Sequence, residues 1–198
     1  MQKNVLWNGM NGCVAFTWRQ KMNNRNYYED FIRTVEDYPK EGIKFYDLNS
    51  LFASSVWPRV VRALVNELTD TIEDITHIIG IESRGFVVGA AMAQHMGLPF
   101  VMVRKVGAKY PGKLIEQSYS LEYGEATVTL QEGILGHTSR VVIADDLIAT
   151  GGSMLATKKL CEKTGARVLG GATIVNLPHL HSEELNDFKI IQVYEAPS

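Results

Sequence analysis

From residue 75 onward, short apolar runs alternate with segments whose apolar residues recur every three or four positions. Residues 76–81 (THIIGI), 100–103, 141–144, 167–175 and 189–194 are runs of the first kind and predict strands buried in a sheet. Residues 86–96 and 153–164 are of the second kind and predict helices, with Gly97 and Gly165 as C-caps and Pro99 as a stop. Upstream, Val56, Val60, Val61, Leu64, Val65 and Leu68 make one helical stripe, entered through Ser54 or Ser55 with Pro58 in the first turn. Residues 27–37 place Phe31, Ile32 and Val35 on one face and predict a short amphipathic helix ended by Pro39, with 41–47 extended or looped. Residues 119–123 and 126–130 predict a hairpin around Gly124. The polar, lysine-rich stretch 104–117 is long for a connection and predicts a mobile functional loop. Strands alternating with helices predict an α/β fold: a doubly wound, mainly parallel central sheet flanked by helices.

One stretch stands out. Residues 140–154 read RVVIADDLIATGGSM: an apolar strand broken by Asp145 and Asp146, then the small-residue turn Ala149-Thr150-Gly151-Gly152-Ser153 feeding a helix. A helix N-terminus offers backbone N–H groups and a dipole to an anion. Two carboxylates beside such a turn suit a sugar phosphate, the acids accepting from ribose hydroxyls and the turn holding phosphate. Residues 82–85, 104–113 and 145–153 all follow predicted strands, so in a parallel sheet they converge on one edge, where ligands bind.

Composition sets the limits. The chain has 198 residues, 45% hydrophobic and 21% charged, as in an ordinary globular protein. A net charge of −2 gives no electrostatic case for nucleic acid or an anionic membrane. Cys13 and Cys161 stand far apart, so neither a disulfide framework nor a zinc site is implied, and a reducing cytoplasm is the expected setting. Residues 1–26 lack a signal-peptide h-region and any clear period; they are read as an irregular extension outside the functional core, with Met22 as a candidate start. Residues 107–113 (GAKYPGK) approach a P-loop, but Leu114 stands where Ser or Thr is needed and no helix is expected to follow. His179 and His181, after Pro178, are read as surface-loop residues rather than a metal pair.

The segment VVIADDLIATGGS resembles the phosphoribosyl pyrophosphate (PRPP) signature of type I phosphoribosyltransferases. Glu82-Ser83-Arg84-Gly85-Phe86, Arg104-Lys105, Pro111-Gly112-Lys113, Ser118 through Gly124 (SYSLEYG) and Val175-Asn176-Leu177-Pro178 are similar to the adenine phosphoribosyltransferases in particular. The resemblance covers residues 27–195 and implies one phosphoribosyltransferase domain over 27–198, with a small N-terminal hood from about 27–50 and a flexible catalytic loop. It implies transfer of phosphoribosyl from PRPP to adenine, giving AMP and pyrophosphate, with Mg2+ as cofactor and a homodimer as the working form. Carried over by position, it implies PRPP binding by Ser83, Arg84, Gly85, Arg104, Lys105, Lys109, Asp145, Asp146, Ala149, Thr150, Gly151, Gly152 and Ser153. Glu122 would be the general acid/base, and Phe45, Tyr46 and Tyr123 would meet adenine. Mg2+ would be held mainly through substrate, with Asp145 and Asp146 as the protein's contribution. The chain departs from the family at Tyr46, where arginine is usual, at Glu82, where aspartate is common, and in a flexible loop one residue longer. The rival expectations are the same chemistry on another 6-substituted purine, and a non-catalytic PRPP-sensing regulator.

Overall fold

The computed structural model describes residues 29–107, 110–120 and 124–197. It divides into two compact units, Met1–Ser50 and Leu51–Ser198.

In the first unit a 3-10 turn (Glu29–Phe31) leads into β1 (Arg33–Val35), which pairs antiparallel with β2 (Phe45–Asp47), Arg33 opposite Asp47 and Val35 opposite Phe45. The helix expected at residues 27–37 is therefore replaced, over its described part, by a turn and a strand. Its apolar spacing fits a helix, but so short a helix is marginal in isolation. Thr34 and Val35 are β-branched and favour the extended state, and Asp37 (φ 56) and Gly42 (φ 81) turn the chain back so that β2 can supply a ladder. Gly42 N donates to Asp37 Oδ1 at 2.7 Å, closing that turn. Tyr38 packs edge-on against Phe45, with ring centroids 5.2 Å apart.

After a helical turn, α1 (Asn49–Phe52), comes α2 (Trp57–Thr71), with Pro58 in its first turn as expected. The N-cap is Val56, and Ser54 instead closes the preceding turn, its hydroxyl donating to Leu51 O and accepting from Val56 N. The expected stripe is buried, with Val60, Leu64 and Leu68 at most 1% exposed. Each such side chain contributes about 1.5–3 kcal/mol relative to an exposed one.

The remaining strands are β3 (His77–Ile81), β4 (Phe100–Lys105), β5 (Leu114–Ser120), β6 (Glu125–Gln131), β7 (Arg140–Ile148), β8 (Arg167–Asn176) and β9 (Ile190–Glu195). They form a seven-stranded sheet in the order β5-β6-β4-β3-β7-β8-β9. The run β4-β3-β7-β8-β9 is parallel; β6 joins β4, and β5 joins β6, antiparallel. Helix α3 (Gly85–Met96) connects β3 to β4 and ends at Gly97 in the left-handed conformation; α4 (Gly152–Glu162) connects β7 to β8. Ile79, Ile81, Val141 and Ile143 share one core cluster with Met154, Ala156, Leu160 and Cys161 of α4. Their strand neighbours Gly80 and Ala144 point to the other face, against Gly89 of α3.

Two strands, β5 and β7, depart most from their expected bounds. β5 starts at Leu114, inside the stretch expected to be a loop, because Ile115, Gln117 and Tyr119 turn inward while Glu116, Ser118 and Ser120 face outward. The ladder runs from Leu114 opposite Gln131 to Ser120 opposite Glu125, and a strand rather than a helix after Lys113 disposes of the P-loop. β7 does not stop at the two acids: it continues to Ile148, since β8 still supplies a ladder there, with Thr173 opposite Asp145 and Asn176 opposite Ile148.

Candidate active site

The carboxyl ends of β3 and β7 part company. Their ladder ends at Gly80 opposite Ala144, after which β3 turns into the loop before α3 on one face while β7 runs on toward α4 on the other. This divergence is where an open α/β sheet opens a crevice. Asp145 and Asp146 lie just beyond it, with β8 alone as ladder partner.

Glycines bring the β3–α3 loop to these acids. A Cβ on Gly80 would stand 2.8 Å from the Phe100 ring and 2.9 Å from Gly85 O, and one on Gly89 would stand 3.2 Å from Gly80 Cα. Without those side chains α3 lies directly on β3. A Cβ on Gly85 would meet Ala144 O at 2.8 Å and Asp145 Oδ1 at 2.9 Å, so only glycine lets the start of α3 touch β7 here. The preceding residue, Arg84, then reaches across: its Nε lies 2.6 Å from Asp146 Oδ2. That contact is an ion pair of poor hydrogen-bond geometry, because Oδ2 is buried and accepts no well-aligned donor among the described residues.

The acids are enclosed. Asp145 Oδ1 accepts the Asp146 amide at 2.9 Å. Burial, reinforced by the adjacent Asp146 charge, holds the Asp145 carboxyl well above its ordinary range, while Lys105 pulls weakly the other way. Burial also raises Asp146, opposed by Arg84. Two neighbouring acids reluctant to ionise together suit a ligand that brings hydroxyl donors or a cation. As hard oxygen donors they fit Mg2+, and the buried Asp146 Oδ2 has acceptor capacity for it. Among the described residues no cluster of three or more His, Cys, Asp or Glu side chains is placed to hold a metal unaided.

After β7, Ala149 and Thr150 lead to Gly151, left-handed at φ 85 and N-cap of α4, whose carbonyl accepts Leu155 N at 2.9 Å. The turn is pinned from behind: Leu177 N donates to Ile148 O, Ser182 N donates to Thr150 O, and the Leu185 side chain covers Gly151. The edge of the Tyr119 ring lies against Gly152, 3.2 Å from where its Cβ would be. Burial raises the Tyr119 phenol, and so does the Asp145 charge. Gly152, Ser153 and Met154 open α4, the first-turn amides that have no acceptor within a helix.

At the end of β4, Arg104 does not join the acids. Its Nη2 donates to Glu82 Oε1 at 3.1 Å, and its guanidinium carbon lies 5.3 Å from the Tyr110 ring centroid. The structure thus gathers Ser83, Arg84, Gly85, Asp145, Asp146 and residues 149–153 around one crevice, with Arg104 and Lys105 at the end of the neighbouring strand. Lys109, Glu122 and Tyr123 lie outside the described residues. Phe45, half-buried, and Tyr46, 6% exposed, belong to the first unit. His181, read as a loop residue, follows a 3-10 turn and is tied by Nε2 to Asn176 Oδ1 at 2.7 Å. Cys161 is buried and its thiol pushed up to about 12, which makes it core and not nucleophile.

Comparison with known proteins settles the family. A phosphoribosyl transferase domain model matches residues 53–197. The adenine phosphoribosyltransferase of Dinoroseobacter shibae is 43% identical over 166 residues, 83% of this chain and 90% of the relative. The chain belongs to the adenine phosphoribosyltransferase family. Among solved structures in this family, that from Thermoanaerobacter pseudethanolicus superposes with a TM-score of 0.81 at 32% identity, covering 87% of this chain and all of the other. The Trypanosoma brucei enzyme, solved with AMP, pyrophosphate and ribose-5-phosphate, gives a TM-score of 0.75 at 28% identity, covering 86% of this chain and 79% of that one.

The sequence assigns no role to three contributors. Glu82, Tyr119 and Leu185 each shape a loop from outside the motif that it serves. Glu82 alone carried a local signal, an acid directly after a buried strand.

Proposed function

We propose that this protein is an adenine phosphoribosyltransferase acting in purine salvage, converting adenine and PRPP to AMP and pyrophosphate. The observation that carries the proposal is the enclosed pair Asp145–Asp146 between a glycine-tight loop carrying Arg84 and the Gly151 turn opening α4. Carboxylates that burial disposes against charge are suited to accept the ribose hydroxyls. The turn and first-turn amides at 149–153 are suited to the 5′-phosphate. Ser83, Arg84 and Gly85 would take pyrophosphate, with Arg104 and Lys105 at the end of β4, and Lys109 beyond it in the chain, adding positive charge. Adenine would lie against Phe45 and Tyr46 of the hood, with Tyr123 beside it; its edge would be read by backbone, which the departure at Tyr46 leaves available.

In the reaction the bond from C1 of ribose to pyrophosphate breaks as a ring nitrogen of adenine bonds to that carbon. The ring proton passes to Glu122, and the bond's electron pair leaves with pyrophosphate. Arg84 neutralises charge growing on the leaving group, and the closing loop keeps water from an oxocarbenium-like centre. Mg2+, held through substrate oxygens with Asp145 and Asp146, supplies further charge neutralisation when bound.

Among the described residues no helix is long and apolar enough to cross a membrane; we place the enzyme in the cytoplasm. We also take it to be a homodimer, in which Arg104 serves the pyrophosphate of the neighbouring subunit. The proposed domain runs over residues 27–198, with the hood drawn from about 27–50. The decisive experiment supplies PRPP and Mg2+ with adenine, hypoxanthine or guanine in parallel. AMP from adenine is expected, and its absence refutes the proposal.

A further inference from the structure

We infer that Glu82 is a positioning residue for pyrophosphate recognition, holding Arg104 and the Lys105 backbone at the end of β4; the inference rests on the function proposed above. Glu82 is the first residue after β3, and its amide donates to Val103 O at 2.9 Å, extending the β3–β4 ladder by one bond. Its carboxylate spans two different groups. Oε1 accepts from Arg104 Nη2 at 3.1 Å, while Oε2 accepts from Lys105 N at 2.8 Å. Side-chain exposure is 23% for Glu82 and 30% for Arg104, so the pair is shielded beyond the ordinary surface ion pair, which contributes little. The bond from Arg104 is also what holds the Glu82 carboxyl below its ordinary range.

Arg104 has few other supports. Its Nε is buried with no acceptor among the described residues, and the Tyr110 ring offers only a cation–π contact. Glu82 is thus the anchor that gives the guanidinium one direction. The same carboxylate precedes Ser83 and Arg84 in the chain, so one side chain ties the loop after β3 to the end of β4. Arg104 has to present its charge to the anionic oxygens of the neighbouring subunit's pyrophosphate in one direction, and Glu82 sets that direction from the loop after β3. Pre-set geometry lowers the ordering cost of binding pyrophosphate.

Calorimetric titration of PRPP with Mg2+ into wild type, Glu82→Gln and Glu82→Asp tests this, together with KM for PRPP and for adenine. In Glu82→Gln the carboxamide must turn its NH2 toward one of two donors, so one bond is lost. PRPP binding is expected to weaken about tenfold, the scale of one charge-assisted hydrogen bond. KM for adenine should stay within about twofold, because the adenine site gains nothing from this clamp. Glu82→Asp, with its charge but a shorter reach, should fall between the two. If PRPP affinity in Glu82→Gln is within about twofold of wild type, or KM for adenine rises as much as KM for PRPP, the inference is overturned. Should Glu82→Gln fail to fold, Glu82→Asp with wild-type PRPP affinity overturns it as well. AMP formation by wild type reports separately on the parent function, since the affinity ratios are read without adenine.

Discussion

Arg84 Nε lies 2.6 Å from Asp146 Oδ2, joining the loop before α3 to the buried edge of β7. The arginine is 42% exposed and the aspartate 6%, so the pair is one-sided: Asp146 needs the cation more than the cation needs Asp146. Arg84→Ala should cost about 1–2 kcal/mol in urea denaturation at neutral pH, below the 3–5 kcal/mol typical of fully buried pairs. The loss should shrink at low pH, where Asp146 takes a proton instead.

Asp145 presents the opposite balance. Its native carboxyl is raised well above the ordinary 3.8, first by burial and then by Asp146, so the folded state binds its proton more tightly than the unfolded chain does. Stability from this group is present at low pH and declines as pH climbs from about the ordinary value through the raised one. Asp145→Asn removes the cost and can still accept the Asp146 amide. It should gain about 1–3 kcal/mol at pH 8, with the gain narrowing toward pH 4, while turnover falls by about 100-fold or more. A thermal melt that shows no stabilisation at pH 8 contradicts this account.

The strands and helices of the second unit were legible because their period is a direct consequence of which face is buried: Val60, Leu64 and Leu68 could mark nothing else. The sheet's polar edge was less so. Glu116, Ser118 and Ser120 face outward, which hid a strand inside what read as a loop. Residues 31–35 misled for a different reason, since three apolar positions satisfy a helical period and a strand pairing alike, and the partner strand β2 lies ten residues away from Val35. At the site the motif located the acids and the turn. What holds them, Gly85 against Asp145 and Leu185 over Gly151, is long-range packing with no local signature.

Gly151 and Gly152 look alike in sequence and should respond differently. Gly151 is left-handed at φ 85, and a Cβ there would meet Leu185 Cδ2 at 2.5 Å; at Gly152 the nearest atom is the Tyr119 ring edge at 3.2 Å. Gly151→Ala should lose about 2–4 kcal/mol from backbone conformation and overpacking together and raise KM for PRPP. Gly152→Ala should lose less than about 1 kcal/mol. Equal losses in urea unfolding would refute the assignment of Gly151 as the conformational pivot.

Glu122→Ala removes the proposed acceptor of the adenine proton. A drop in kcat of about 100-fold or more is expected, with PRPP affinity by calorimetry unchanged. Undiminished turnover would remove Glu122 from the chemistry.

His181 provides a pH-dependent prediction away from the chemistry. It binds Asn176 through Nε2, and the next residue, Ser182, donates its amide to Thr150 O in the turn before α4. Burial holds the His181 imidazole below its ordinary 6.5, with the His179 charge adding to the effect and Glu195 opposing it. Because the native pKa is depressed, the unfolded chain binds this proton more readily. The neutral ring's contribution is therefore complete above about 6.5 and is lost as pH falls through the native value. His181→Gln cannot titrate, so melting temperatures of wild type and variant should converge as pH drops from 7.5 toward 5.5, with wild type losing more. His77 is lowered by burial too and contributes the same trend to both proteins, so it cancels in the comparison. A wild-type advantage that stays constant across this range would show that His181 does not change protonation on unfolding.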